Sequence, residues 1–169
     1  MQVTGKERLM GDDEVIVSKT NAKGHITYAN DVFLKIADYT MEEVMDKPHS
    51  LVRHPDMPRC VFKLLWDYIS QGKEIFAYVV NRAKNGDHYW VFAHVTPSFD
   101  EKGNIVGYHS NRRKPRQEAV DAVSGLYKML IKEEQRHKNR KDGMNSAFKM
   151  LVNILEEKGV SYDEFILSI

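Results

Sequence analysis

Two short stretches of this 169-residue chain gather the side chains best suited to binding or chemistry. The first is Arg53-His54-Pro55-Asp56-Met57-Pro58, a permanent cation, a titratable ring and a carboxylate held by two prolines. Proline fixes its own φ and restricts the residue before it, so Arg53, His54 and Asp56 lose less conformational entropy on meeting a ligand than they would on a free loop. Two readings fit: a binding loop, or a clasp in which Arg53 and Asp56 pair with each other. The second stretch runs from Asn81 to Trp90 around Lys84-Asn85-Gly86-Asp87, where Asn-Gly is first of all a hairpin turn. Asn81 and Trp90 lie on the flanking strands. An Asn amide offers a donor and an acceptor to the edge of a planar ring, and a Trp can cover a ring's face. The alternative for Trp90 is a place in the core.

Little else in the chain suggests reactivity. Cys60 is the only cysteine, so no intrachain disulfide and no multi-cysteine metal site can form, and a reducing compartment suits the chain. His54, His88 and His94 show no metal-ligand spacing. No local motif assembles a nucleophile with a base and an orienting group, and no glycine-rich phosphate loop is present. The expectation is a binding protein, not an enzyme.

The elements that must position these residues follow from periodicity. Glu14 to Thr20 and His25 to Ala29 read as strands joined by the turn Asn21-Ala22-Lys23-Gly24. From Asn30 the period becomes helical through Val32, Phe33, Ile36 and Ala37, and Thr40 with Glu43 forms a capping box for a second short helix. Pro48, Pro55 and Pro58 hold the next stretch as a loop with one or two turns, and Pro58 suits the start of a helix carrying Val61, Leu64, Leu65 and Ile69 and stopping at Gly72. Three strands follow, over Glu74 to Arg82, His88 to Ser98 and Ile105 to Asn111. The predicted class is α+β, a five-stranded antiparallel sheet with helices packed on one face, plus a C-terminal helical extension. In that extension Val123, Leu126 and Leu130 share one stripe, Met144, Ala147, Phe148 and Leu151 share another, and Ser161 with Glu164 forms a second capping box. The predicted organisation is a cap segment over 1–13, a sensor domain over 14–115 and the extension over 116–169.

Lys plus Arg total 25 against 24 for Asp plus Glu, a net charge of +1, so no global field draws the chain to nucleic acid. The stretch from Arg112 to Lys141 is locally basic, ten cations against four acids, and reads as a solvated helix face. No apolar run approaches the roughly 18 to 20 residues of a membrane span, and the amino terminus lacks signal-peptide order. The expected location is cytoplasmic, with membrane association only through a partner.

The order of elements resembles the PAS fold, and Asn21 to Pro115 resembles the flavin-binding PAS domain of the bacterial aerotaxis receptor family. The matching runs are Asn21-Ala22-Lys23-Gly24 with Ile26-Thr27-Tyr28-Ala29-Asn30, Pro48 through Pro58, and Asn81-Arg82 with Lys84 through Val91. The resemblance implies FAD held without a covalent link between sheet and helices, with Arg53, His54 and Asp56 holding it and Asn30, Trp66, Asn81 and Trp90 as pocket residues. Arg53 is suited to the pyrophosphate as a bidentate donor. Receptors of that family continue into a membrane anchor and a signalling coiled coil, for which the 54 residues after Pro115 leave no room. The chain is most similar to the stand-alone soluble PAS component of bipartite energy-taxis systems. That implies a redox sensor, expected to be a homo-oligomer, which relays flavin state to a membrane-bound chemoreceptor-like protein. A haem-binding PAS gas sensor and a cofactor-free interaction module are the alternatives. The cysteine position of light-sensing flavin domains aligns with His49, so adduct photochemistry is not expected.

Overall fold

The computed structural model describes residues 2–169. Strands β1 (Ile16–Asn21), β2 (Ile26–Ala29), β3 (Ile75–Arg82), β4 (His88–Phe99) and β5 (Ile105–Arg113) form one antiparallel sheet in the order β2-β1-β5-β4-β3. Between β2 and β3 the chain makes α1 (Asp31–Ala37), α2 (Met41–Val44), a single 3-10 turn over His49–Val52 and α3 (Arg59–Ile69). The extension supplies α4 (Gln117–Gln135), α5 (Arg140–Lys158) and α6 (Tyr162–Ser168). The architecture is the predicted α+β one, with every strand and helix within a few residues of its expected limits.

Local chemistry explains most boundaries. Asn30 caps α1 by accepting from the Phe33 N–H. The Thr40 and Ser161 capping boxes both form, each hydroxyl accepting from the amide of Glu43 or Glu164, whose carboxylate accepts the cap residue's own N–H. Gly86, in the β3–β4 turn, holds φ +99, which an L-residue adopts at a steric cost, and its added Cβ would meet the Gln2 carbonyl oxygen at 2.3 Å. That contact reflects the N-terminal segment lying along the hairpin. Asp87, the hub there, accepts from the Thr4 hydroxyl, the Arg8 guanidinium and the Asn85 amide, bonds that hold its carboxyl well below the usual range.

The extension folds back onto the domain and buries its own stripe: Val123 and Leu130 are fully buried and Leu126 half-buried. α4 and α5 pack on each other and on α3, and α6 packs on β3. β3 is an edge strand, and two tyrosines satisfy its carbonyls: Tyr127 Oη donates to Tyr78 O at 2.6 Å and Tyr162 Oη to Phe76 O at 3.0 Å. Among the described residues no helix is long and apolar enough to cross a membrane.

Gly143 sets how closely α4 and α5 approach, because a Cβ there would lie 2.3 Å from the Glu134 carbonyl oxygen. A backbone clash of that kind has no rotamer escape. Gly143→Ala should therefore destabilise by up to ~3 kcal/mol, more than the ~1 kcal/mol gained from helix propensity. Urea unfolding and limited proteolysis check this: the expected result is earlier cleavage within 117–158 while the sheet stays protected.

Candidate functional site: a basic cavity between sheet and helices

A cavity of about 570 Å³ lies between the sheet and the segment from the 3-10 turn through α3. Its volume falls in the range of sites for small organic ligands, roughly 300–1,000 Å³. The floor is the sheet face carrying Ser18, Ser110, Arg112, Ala93, Val95, Val79 and Asn81, alternate residues on neighbouring strands. Leu65, Trp66, Ile69 and Phe62 of α3 form the roof, and Met144 of α5 closes one side. Five of the lining residues are basic (Lys23, Arg53, Arg59, Lys63, Arg112) and none is acidic.

The polar groups at depth form a chain. Arg112 is 2% exposed, and its Nη2 donates to Ser18 Oγ, which lies 3.0 Å from His49 Nε2. Arg112 can only donate, so this geometry lets Ser18 accept from it and donate its own O–H to His49 Nε2. Burial, together with the neighbouring Arg112 charge, pushes the His49 pKa down to about 3, so its ring is neutral in the folded protein near pH 7. Burial also lowers Arg112 to about 10, which leaves it a cation near neutrality. Its Nε and Nη1 have no hydrogen-bond partner, and among the described residues no carboxylate pairs with it. Asn81, 4% exposed, also faces the cavity.

At the mouth, Arg53 lies 4.4 Å over the Phe62 ring and one of its terminal nitrogens is buried without a partner. Burial lowers its pKa most, helped by Arg59, while Glu134 of α4 acts in the opposite sense. Glu134 also accepts the Cys60 N–H at 2.9 Å, capping the first turn of α3, whose own N-cap position is Pro58 and has no capping side chain. Trp66 is 40% exposed, meets Tyr108 edge to face at 5.4 Å and crowds Gly24, where a Cβ would sit 3.1 Å from the indole.

Of the residues singled out from sequence, Arg53, Trp66 and Asn81 line this cavity and the others do not. The Asn30 amide is consumed by backbone, accepting from Val17 and Phe33 and donating to Val15 O. His54 is buried against His88, with ring centroids 5.7 Å apart, and its Nδ1 accepts the Asp56 N–H. The Asp56 carboxylate is exposed and 3.8 Å from that ring, so the clasp within the loop joins His54 and Asp56, with Arg53 turned to the cavity. Trp90 has the opposite strand parity to Ala93 and Val95, and stacks on Tyr127 at 6.1 Å on the far side of the sheet. His94 is also on that face, bonded to Glu74. Cys60 is buried, and desolvation beside Glu134 pushes its thiol up to about 12. Sequence reasoning missed Ser18, His49 as a lining residue, and Arg112. An Arg at an even position of a strand whose alternate residues are Tyr108 and Ser110 was the available signal, hidden within an otherwise solvent-facing basic run.

A five-stranded antiparallel sheet with a ligand-sized cavity under its helices is the arrangement of PAS domains. The family profile described as PAS fold matches residues 26–112, just over half of the chain, and the chain belongs to that family. Over 128 residues it is 42% identical to the aerotaxis receptor of Escherichia coli (strain K12), a match covering 76% of this chain and 25% of the receptor. It is 26% identical over 99 residues to a nitrogen fixation regulatory protein of Klebsiella pneumoniae, covering 59% of this chain and 20% of the regulator. The chain thus spans a quarter or less of these relatives. Among solved structures, the dark state of the blue-light photoreceptor Aureochrome1 LOV superposes with a TM-score of 0.58 at 23% identity, over 68% of this chain and 85% of that one.

His49 makes the fold acid-sensitive in a defined sense. An unfolded imidazole protonates near 6.5, whereas the folded one resists until about 3, so below pH 6.5 the unfolded chain holds the extra proton and stability falls. The slope from one such group reaches ~1.4 kcal/mol per pH unit. His49→Gln should flatten the fall in unfolding free energy between pH 6 and 4 relative to wild type, measured by urea titration at each pH. Parallel curves would remove His49 as a source of the acid sensitivity.

Proposed function

We propose that this chain is a sensor whose cavity binds a flavin nucleotide, FAD, and whose signal passes through α4 and α5 to a separate protein. The observation that carries the reading is the charge of the cavity lining: five cations and no carboxylate among apolar and small polar residues, with only Lys63, among the described residues, held by an ion pair from outside it, to Asp67 at 2.6 Å. Such a lining is the complement of a planar ring with phosphates. The flavin fits the donor set. Arg53, Arg59 and Lys63 at the mouth would hold its phosphates, Trp66 and the aliphatic roof would cover its ring, and Asn81 and Arg112 would meet its polar edge. When bound, the flavin supplies an electron-accepting ring whose hydrogen-bonding pattern differs between redox states. In this reading His54 and Asp56 act indirectly, by holding the loop that presents Arg53. The likeness to the aerotaxis receptor supports assigning redox or energy sensing to residues 14–115.

Relay to the extension has a physical basis. Met144 of α5 lines the cavity, and Glu134 of α4 acts electrostatically on Arg53 while capping α3. An anionic ligand at the mouth competes with Glu134 for Arg53, so occupancy bears directly on how α4 docks. The receiver is a chemoreceptor-type signalling protein. Since the stripe of α4 is already buried within the chain, the receiver reads another surface of the extension.

The purified protein should be yellow after reconstitution with FAD, and Arg53→Ala should bind it at least tenfold more weakly, since a hydrogen bond to a charged group contributes ~1.5–3 kcal/mol. Fluorescence titration and circular dichroism check binding and fold together. A folded, colourless wild type after reconstitution, or a Soret band, would overturn the flavin assignment. Asn81→Leu should retain FAD but lose the difference in protease sensitivity of 117–158 between oxidised and reduced protein. A full wild-type difference in that variant would make Asn81 only a wall.

A further inference from the structure

The cavity contains one feature that a phosphate cradle does not need: a cation at its deepest point. The basic residues at the mouth are half-buried or exposed, but Arg112 is almost completely enclosed. Enclosing a charge is costly unless a counter-charge or hydrogen bonds compensate. Here the compensation is partial. Nη2 has Ser18, and the guanidinium lies 5.1 Å from the Phe33 ring centroid, but Nε and Nη1 have nothing. The nearby Tyr89 hydroxyl is itself buried without a partner, and His49, two hydrogen bonds from Arg112 by way of Ser18, is neutral and already engaged by Ser18. The protein therefore supplies a fixed positive charge with spare donors and withholds the acceptor.

We propose that Arg112 is the charge-selecting residue of this cavity: it binds ligand forms carrying negative charge on the buried ring edge more tightly than neutral forms of the same ligand. This rests on the flavin reading above and deepens it. A ring that gains two electrons and one proton becomes an anion, while one that gains two electrons and two protons stays neutral. A buried guanidinium without a counter-ion favours the first outcome, because its attraction acts in a low-dielectric site. Preferential binding of the reduced form is, by linkage, a raised reduction potential. The mouth cations contribute little to this preference, since phosphate charge is the same in both redox states.

The test uses the full chain loaded with FAD and titrated with dithionite against a reference dye across pH 6 to 8. R112M and R112Q remove the charge, and R112K keeps it without the planar fork. Both neutral variants should bind FAD more weakly than wild type in either redox state, and their preference for reduced over oxidised FAD should fall at least tenfold, a drop of about 30 mV for a two-electron couple. The potential of wild type should fall by about 30 mV per pH unit, one proton per two electrons, and that of the neutral variants by about 60 mV, two protons. R112K should stay close to wild type on both measures. Unchanged potential and pH slope in a neutral variant that holds FAD would overturn the role of Arg112 and leave the flavin reading standing. A wild type that takes up no FAD would overturn both, and failure of both neutral variants to fold with R112K also losing the wild-type slope would make Arg112 a structural residue.

Discussion

The register of the sheet is the constraint on which the cavity depends. Pairing aligns Ser18, Ser110, Val95 and Ile75 in one row, and Ile16, Arg112, Ala93 and Ala77 in the next. Ser18, Ser110 and Ala93 on three neighbouring strands are short, so the helix laid across this face leaves space above them. A one-residue slip of β5 would send Ser110 and Arg112 to the far face and bring His109 and Asn111 inward. The hollow is thus a product of strand pairing, and the roof from α3 merely limits it.

Charge gives that hollow its character. Enclosing five cations without a carboxylate in the lining would be unfavourable were they together, but they are spread from the open mouth to the floor, where solvent screens the outer ones. Glu134 tempers the mouth from outside the lining, and its second task, accepting the Cys60 N–H, ties it to the helix that roofs the cavity. One carboxylate therefore links the electrostatics of the site to the docking of α4.

The extension is integral to the folded domain. It covers the β3 edge through two phenol-to-carbonyl hydrogen bonds, closes the cavity with Met144, and places Phe148 4.6 Å from the Lys63 ammonium. An edge strand left open would invite pairing with other chains, so the helices that supply these phenols also protect the sheet.

What the sequence by itself determined is local. Asn30, Thr40 and Ser161 announced their helices because a cap bonds to an amide three residues away, and Asn85-Gly86 announced its hairpin because few residues tolerate that turn. Arg53 and Asn81 were legible as candidates through their motifs and Trp66 only through the family resemblance, and the three meet in the cavity. Only the tertiary structure decided which face each strand turned inward. It sent Trp90 to Tyr127, spent the Asn30 amide on backbone, paired His54 with Asp56, and drew Arg112 out of a basic run into the floor. Burial and counter-charge arise between residues distant in the chain, and no spacing along it records which cation will be left without a partner.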